Sequence, residues 1–308
     1  MNVVPIAFAF DNNLVFPACI CLSSLMMHAK HDTFYDIYII YSEKEELNHI
    51  EIDMLPTYFP NCRIQYRMVD TTFNQSYEIR GITISTYYRL LIPELIPEYA
   101  KIIYSDVDVI FRDDLSDIYL NTDMTDYYIA GVNSLAHLKE DTKSYYTNVL
   151  KISPQNIIYA GNVIINSELM LKDNILSSFK EHVHRKYKYD DLDIINIVCK
   201  NRIKYLSPSF CLTTDLTEYS SQDRRSLYKL WSSQDVDYAL ERGIVHYNGQ
   251  KPWKGACINF DIWWEYYRKS PFFDPKYYYQ FFNNMLNYHD RLPLLKRIQS
   301  LLRYFVYG

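Results

Sequence analysis

The chain has 308 residues, 48% of them apolar and 22% charged, a balance that supports one sizeable core and no more than two domains. A formal net charge of −5 leaves no basic field for a nucleic-acid backbone, and 31 Tyr, 15 Phe and 4 Trp exclude a disordered chain. Glycine is scarce at 7 residues, and neither a P-loop nor a GxGxxG dinucleotide fingerprint occurs.

Val3–Phe10 reads as a buried strand, followed by a helix from about Pro17 to His28 that carries Leu22, Leu25 and Met26. Ile37–Tyr41 predicts a second strand and Lys44–Leu55 a second helix, opened by acidic residues. Ile64–Val69 is a third strand, Thr86–Leu91 is helical, and Lys101–Tyr104 is a fourth strand that runs into an acidic pair. Strands alternating with helices imply crossover connections, and apolar runs without polar alternation imply a mainly parallel sheet covered on both faces. Further on, Ile129–Val132 and Val163–Ile165 predict strands and Leu192–Cys199 a helix. No internal repeat is present. The expected organisation is an α/β catalytic domain over residues 1–270 and a helical appendage over 271–308.

The six cysteines are dispersed without a CxxC pair and read as buried thiols in a reducing cytoplasm. The first ten residues, MNVVPIAFAF, lack the basic start of a secretory signal, and no apolar run approaches the roughly 18 residues of a membrane span. The expected location is cytoplasmic.

Lys101–Arg112, KIIYSDVDVIFR, is the most informative stretch. Asp106 and Asp108 interrupt an apolar run at the carboxyl end of a strand. In extended backbone residues i and i+2 share a side, so both carboxylates converge while Val107 turns to the core. Two desolvated carboxylates this close are costly unless a cation neutralises them, and a divalent ion in the sheet's ligand crevice is one solution. A turn or capping role is the other. The spacing recurs at Asp191–Asp193 and Asp235–Asp237, but the last copy sits in a polar segment. His246, in IVHYNGQKPWKG, either completes a metal site or is a core histidine, with Lys251 meeting a phosphate or only solvent. Two carboxylates and one imidazole would suit Mn²⁺ better than Mg²⁺, since nitrogen ligation favours the softer ion. In FAFDNN, Asp11, Asn12 and Asn13 end a strand; they either read a nucleobase edge or cap the next helix.

Together these pieces resemble glycosyltransferase family 8, the retaining, metal-dependent enzymes of the GT-A fold, and within it the bacterial lipooligosaccharide α-galactosyltransferases. The resemblance covers Val3 to Trp253 through FAFDNN, STYYRLLIPEL (Ser85–Leu95), KIIYSDVDVIFRDDL (Lys101–Leu115), YAGNVIIN (Tyr159–Asn166), DDLDIIN (Asp190–Asn196) and HYNGQKPW (His246–Trp253). It implies Asp106, Asp108 and His246 as Mn²⁺ ligands, with Mg²⁺ as second choice, and a UDP-hexose donor. By it, Asp11 and Asn13 contact uracil and ribose, and Arg89 lies near the donor sugar. Gly249 and Lys251 close on the diphosphate, and Asp191 binds sugar hydroxyls. Val107, Ala160 and Gly161 fall in matched segments of the donor site. The chain departs from the pattern at three places: Tyr159 precedes Ala160 and Gly161 where an Asn is usual, Asn133 stands where an acidic residue is common, and Leu192 stands where similar members carry Gln beside the reacting carbon.

The expected function is therefore Mn²⁺-dependent transfer of galactose or glucose from a UDP-sugar to a hydroxyl of a glycan or glycolipid. The alternatives are an inverting transferase or nucleotide-sugar hydrolase, and a catalytically silent binder. At the C-terminus Leu294, Leu295, Ile298, Leu301, Leu302 and Phe305 form a stripe at helical spacing, with Lys296, Arg297 and Arg303 off it and no acidic residue after Asp290. Such a helix either rests on an anionic membrane surface or docks on the protein's own core, with Tyr277–Phe282 as the dock.

Overall fold

The computed structural model describes residues 1–44, 46–69, 84–288 and 292–307, with residues 84, 85 and 304–307 described by their backbone alone. β1 (Asn2–Ala9) pairs in parallel with β2 (Thr33–Ser42), which pairs in parallel with β3 (Cys62–Val69). On its other side β1 pairs in parallel with β4 (Lys101–Ser105). β5 (Val109–Ile110) follows β4 after a three-residue turn. Beyond it come β6 (Ile129–Asn133), β7 (Ile158–Asn166) and β8 (Ile203–Tyr205). The main sheet runs β3-β2-β1-β4-β7-β6-β8, and β7 is antiparallel to both its neighbours. A small sheet of β5, β10 (Val245–His246) and β9 (Leu212–Thr213) runs β5-β10-β9.

Period-two alternation along β1 divides the interior. Ile6 and Phe8 enter one core with the helix Val15–Met27, while Ala7 and Ala9 enter the other with Tyr38, Ile40 and Tyr104. Both faces are covered, as the unbroken apolar strand runs require. Every residue from Val15 to Met26 except Phe16 is buried, so this helix lies wholly between layers.

The first strand is shifted by one residue, running Asn2–Ala9 where Val3–Phe10 is expected, and the other expected strands extend by up to a few residues; β7 is the largest extension, starting at Ile158. Two helices differ. The Lys44–Leu55 helix is reduced to Ile50–Asp53, followed by Leu55–Tyr58. The cause is Asn12, whose amide donates to Glu46 O at 2.8 Å and accepts from Asn48 N at 2.7 Å, pinning this stretch as a loop against the end of β1. The Leu192–Cys199 helix starts earlier, at Asp190, with three aspartates in a first turn that favours negative charge. Ile84–Leu91 winds as a 3-10 helix.

At the C-terminus, helix Phe260–Lys269 buries Trp263, Trp264, Tyr266 and Tyr267. Tyr277, Phe281 and Phe282 of helix Pro275–Leu286 pack on Trp264, with ring centroids 6.2, 4.4 and 5.0 Å away. That aromatic run is therefore spent on Trp264. Helix Leu294–Tyr307 forms as its spacing predicts, and Leu294, Leu295, Ile298, Leu301 and Leu302 are all exposed. Among the described residues no helix is long and apolar enough to cross a membrane.

Candidate active site

Between β4 and β5 the chain passes through Asp106, Val107 and Asp108. Gly161 O on β7 accepts from Asp106 N at 2.7 Å, Asp108 O accepts from Tyr247 N at 2.9 Å, and Val107 is buried. The turn is thus held by backbone on both sides, and both carboxylates are left in the cleft. β10 brings His246 opposite Val109, one residue past Asp108. His246 Nε2 lies 3.3 Å from Asp108 Oδ1 and 3.6 Å from Asp106 Oδ2, and one donor atom from each residue falls within 4.8 Å of the others.

The remaining oxygens are committed elsewhere. Asp106 Oδ1 accepts from Arg89 Nη2 and Tyr104 Oη, both at 2.8 Å. Asp108 Oδ2 accepts from Lys251 Nζ, which also donates to Tyr247 O at 2.5 Å. Asp106 Oδ2, Asp108 Oδ1 and His246 Nε2 are left facing one another, a donor set of two hard oxygens and one nitrogen that fits a divalent cation. Burial alone would raise the Asp108 carboxyl, but His246 and Lys251 outweigh it and hold it well below the usual carboxylate range. Burial would likewise lower His246, and Asp108 reverses this, pushing it up to about 10. Asp108 is thus paired with His246 and Lys251, and Asp106 with Arg89.

Gly161 is required by this geometry. A Cβ there would stand 2.2 Å from His246 Cε1 and 2.8 Å from both Asp106 Oδ2 and His246 Nδ1.

Arg89 joins the cluster to Asp191. Its guanidinium is buried over the Tyr104 ring, 4.4 Å from the centroid, and donates to Ala160 O at 2.6 Å. Its Nε sits 3.0 Å from Asp191 Oδ2, yet it is aligned on Thr86 O instead, also at 3.0 Å. Asp191 Oδ2 is buried with no hydrogen-bond donor aligned on it among the described residues. Burial, against the pull of Arg89, raises this carboxyl to about 7.

These residues line a cleft of about 950 Å³. Asp11, Asn13, Arg89, Asp106, Val107, Asp108, Ala160, Gly161, Asp191, Leu192, His246 and Lys251 all border it. Asp11 also accepts from Asn13 N at 2.9 Å, so it closes the turn after β1 while facing the cleft. Three expected residues do not border it. Asn12 holds the 46–48 loop; Asn133 is buried and donates to Gln155 O at 2.9 Å; Gly249 lies outside the lining. The third aspartate pair is structural: Asp235 completes a capping box with Ser232, and Asp237 binds Arg224.

Sequence reasoning missed one wall. Tyr146, Tyr189, Lys188 and Thr142 line the side of the cleft next to Leu192. The hydroxyls of Tyr145 and Tyr146 donate to buried Asp193 at 2.7 and 2.9 Å, and the Tyr146 and Tyr189 rings stack 6.1 Å apart. Asp193, last of the Asp191–Asp193 motif, is the anchor of this wall.

A model of glycosyl transferase family 8 matches residues 5–257. Among curated relatives, a Haemophilus influenzae protein named as a glycosyltransferase is 26% identical over 264 residues, 77% of this chain and 75% of that one. A lipopolysaccharide 1,2-glucosyltransferase of Escherichia coli is 23% identical over 259 residues, 80% of this chain and 72% of that one. Among solved structures, the galactosyltransferase LgtC in complex with donor and acceptor sugar analogues superposes with a TM-score of 0.71 at 21% identity, covering 89% of this chain and 99% of that one. The bifunctional glycosyltransferase WbbM gives the same TM-score at 19% identity over 92% of this chain, which spans 52% of that longer protein. The fold is that of these GT-A enzymes, and the chain belongs to glycosyl transferase family 8.

Proposed function

We propose that this chain moves a hexose, galactose or glucose, from a UDP-sugar to a hydroxyl of a surface glycan or glycolipid, with retention of configuration and with Mn²⁺ held by Asp106, Asp108 and His246. The observation that carries the reading is the convergence of Asp106 Oδ2, Asp108 Oδ1 and His246 Nε2 in the same cleft as the unaligned Asp191 Oδ2. Bound there, the cation supplies positive charge against the leaving diphosphate. The chain's own residues do the rest. Asp11 and Asn13 receive the nucleotide at the end of β1. Asp191, beside the Arg89 guanidinium that also fixes Asp106, accepts from a donor-sugar hydroxyl. Lys251 exchanges its contact with Asp108 for one with phosphate. Leu192 offers the sugar no nucleophilic atom and the Tyr146 hydroxyl is tied to Asp193, so the wall they form with Tyr189 favours attack by the acceptor from the face that UDP leaves, a departing phosphate oxygen taking the proton. That wall also keeps water from the reacting carbon.

The test is a donor screen with UDP-glucose, UDP-galactose and their N-acetyl forms, with Mn²⁺ present and then chelated, followed by anomeric analysis of the product. Turnover that survives chelation, or an inverted product, overturns the reading. One observation favours a second reading: the apolar Leu192 also suits a protein that binds nucleotide sugars without turning them over, which tight donor binding with no turnover would establish.

The exposed stripe of helix Leu294–Tyr307, beside Lys296, Arg297 and Arg303 and with no acidic residue from position 292 onward, supports peripheral contact with an anionic membrane surface. A cytoplasmic enzyme acting on a lipid-linked acceptor would be held by it at the inner membrane face.

A further inference from the structure

The face of His246 turned away from the cleft is as ordered as the face toward it. Its Nδ1 lies 3.5 Å from Cys211 Sγ, and the thiol is fully buried. Asn162 Nδ2 donates to the same sulfur at 3.6 Å, while Asn162 Oδ1 accepts from Ser105 Oγ at 2.7 Å. Ser105, Asn162 and Cys211 are each fully buried. Ser105 is the residue before Asp106 and pairs with Asn162 across β4 and β7. Cys211 immediately precedes β9, which pairs with the strand carrying His246. A chain of three side chains thus runs from the base of one carboxylate to the back of the imidazole, crossing from the main sheet to the small one.

The chemistry of imidazole gives this chain a purpose. A neutral histidine carries one ring proton, and only the nitrogen without it can bind a cation; the partner of the other nitrogen decides which that is. Gly161 places no side chain against Nδ1, and among the described residues the Cys211 sulfur lies within hydrogen-bond reach of it. Asn162 Nδ2 donates to the sulfur, so the sulfur already serves as an acceptor on that side and has a further lone pair to offer Nδ1–H, while Ser105 Oγ lies 2.7 Å from Asn162 Oδ1 and 2.8 Å from Asp106 O.

We propose that Cys211 is a positioning residue for the metal site: its sulfur accepts from His246 Nδ1–H, fixing the tautomer and ring plane that present the Nε2 lone pair to Asp106 and Asp108. The inference rests on the reading that these three residues hold Mn²⁺. Cys211 touches neither substrate nor metal and acts only through His246.

The experiment measures Mn²⁺ binding directly, from the electron paramagnetic resonance signal of free Mn²⁺, by full-length protein in the presence of UDP. Cys211→Ala is expected to weaken Mn²⁺ binding by roughly 10- to 100-fold, the usual consequence of losing a partner behind a metal-ligating histidine. Its affinity for UDP measured in chelator should be unchanged, a readout that general damage to the cleft would move. Cys211→Ser, whose hydroxyl accepts from the same N–H, should recover most of the loss. In steady-state assays the Mn²⁺ concentration for half activity should rise for Cys211→Ala, with kcat at saturating Mn²⁺ close to wild type. Should Cys211→Ala fail to fold, Cys211→Val fills the space with a somewhat larger apolar side chain and removes the acceptor, and the same loss is expected. Mn²⁺ binding within twofold of wild type by a folded Ala or Val variant overturns the proposal, as does a Ser variant as impaired as Ala. Absence of Mn²⁺ binding by the wild-type protein overturns the metal reading itself and this inference with it.

Discussion

Replacing Gly161 by alanine should destroy the proposed metal site by adding one carbon. The new Cβ would stand 2.2 Å from His246 Cε1, where carbon–carbon contacts settle at about 3.5 Å or more, so the two must separate by more than about 1 Å. Neither side has room. Gly161 is a central residue of β7, tied through its carbonyl to Asp106 N, and His246 is backed by Cys211 and carried on a strand paired on both edges. Overpacking of this kind costs about 1–3 kcal/mol, so the protein should still fold, with a melting temperature lower by a few degrees. Ligand placement is far less forgiving. Metal–ligand distances hold within about 0.2 Å, and a 1 Å misplacement commonly costs about 100-fold in rate. Mn²⁺ titration in the presence of UDP, followed by the signal of the free ion, should therefore show at least a 100-fold loss, and donor turnover should fall in parallel. Gly255→Ala is the control, because its added carbon meets only the flexible end of Gln250, at 3.1 Å. A folded Gly161→Ala protein that keeps wild-type Mn²⁺ affinity and turnover would refute the assignment of His246 and Asp106 to a shared site.

Asp108→Asn should abolish Mn²⁺-dependent turnover with the fold intact, whereas Asp235→Asn should leave turnover alone and weaken only the capping box at Ser232, a cost of no more than about 1 kcal/mol by thermal melting. Leu192→Ala should loosen donor selectivity and raise donor hydrolysis, with transfer reduced only moderately; a loss as complete as that of Asp108→Asn, or an inverted product, would contradict its role as a wall. Asp191, raised by burial to about 7 in the folded chain, binds its proton more tightly there than unfolded, so it costs stability progressively as pH rises from about 4 through 7. Asp191→Asn should therefore melt higher than wild type at pH 8 but not at pH 4, while losing donor turnover at both. Deleting residues from Leu292 onward should release the protein from vesicles containing anionic lipid and spare activity on a soluble acceptor; unchanged vesicle binding would assign the exposed stripe elsewhere.

Legibility of this chain followed the range of the interaction being read. The strands were visible because burial on both faces leaves an unbroken apolar run, and Asp106 and Asp108 stood out because they interrupt one. The polar setting of Asp235–Asp237 marked that pair as different, and the structure spends it on a helix cap. The second helix starts later than its local pattern predicts because Asn12, more than thirty residues away, takes the backbone groups of Glu46 and Asn48, and no local pattern records such a bond. The aromatic wall escaped for a related reason. Among 31 tyrosines, Tyr145 and Tyr146 differ only in reaching Asp193 across more than forty residues of chain.

Cys211 is the sharpest case. Its apolar neighbours made it read as an inert core thiol, and by burial it is one. Its consequence comes from pairings that put Asn162 and His246 on either side of it. A carboxylate advertises itself in sequence because burying its charge is expensive; a group that only receives a ring proton carries no such mark. The carboxylates proposed to hold the cation are therefore readable from one sequence, while a residue proposed to aim its histidine partner becomes visible only once strands distant in sequence are laid side by side.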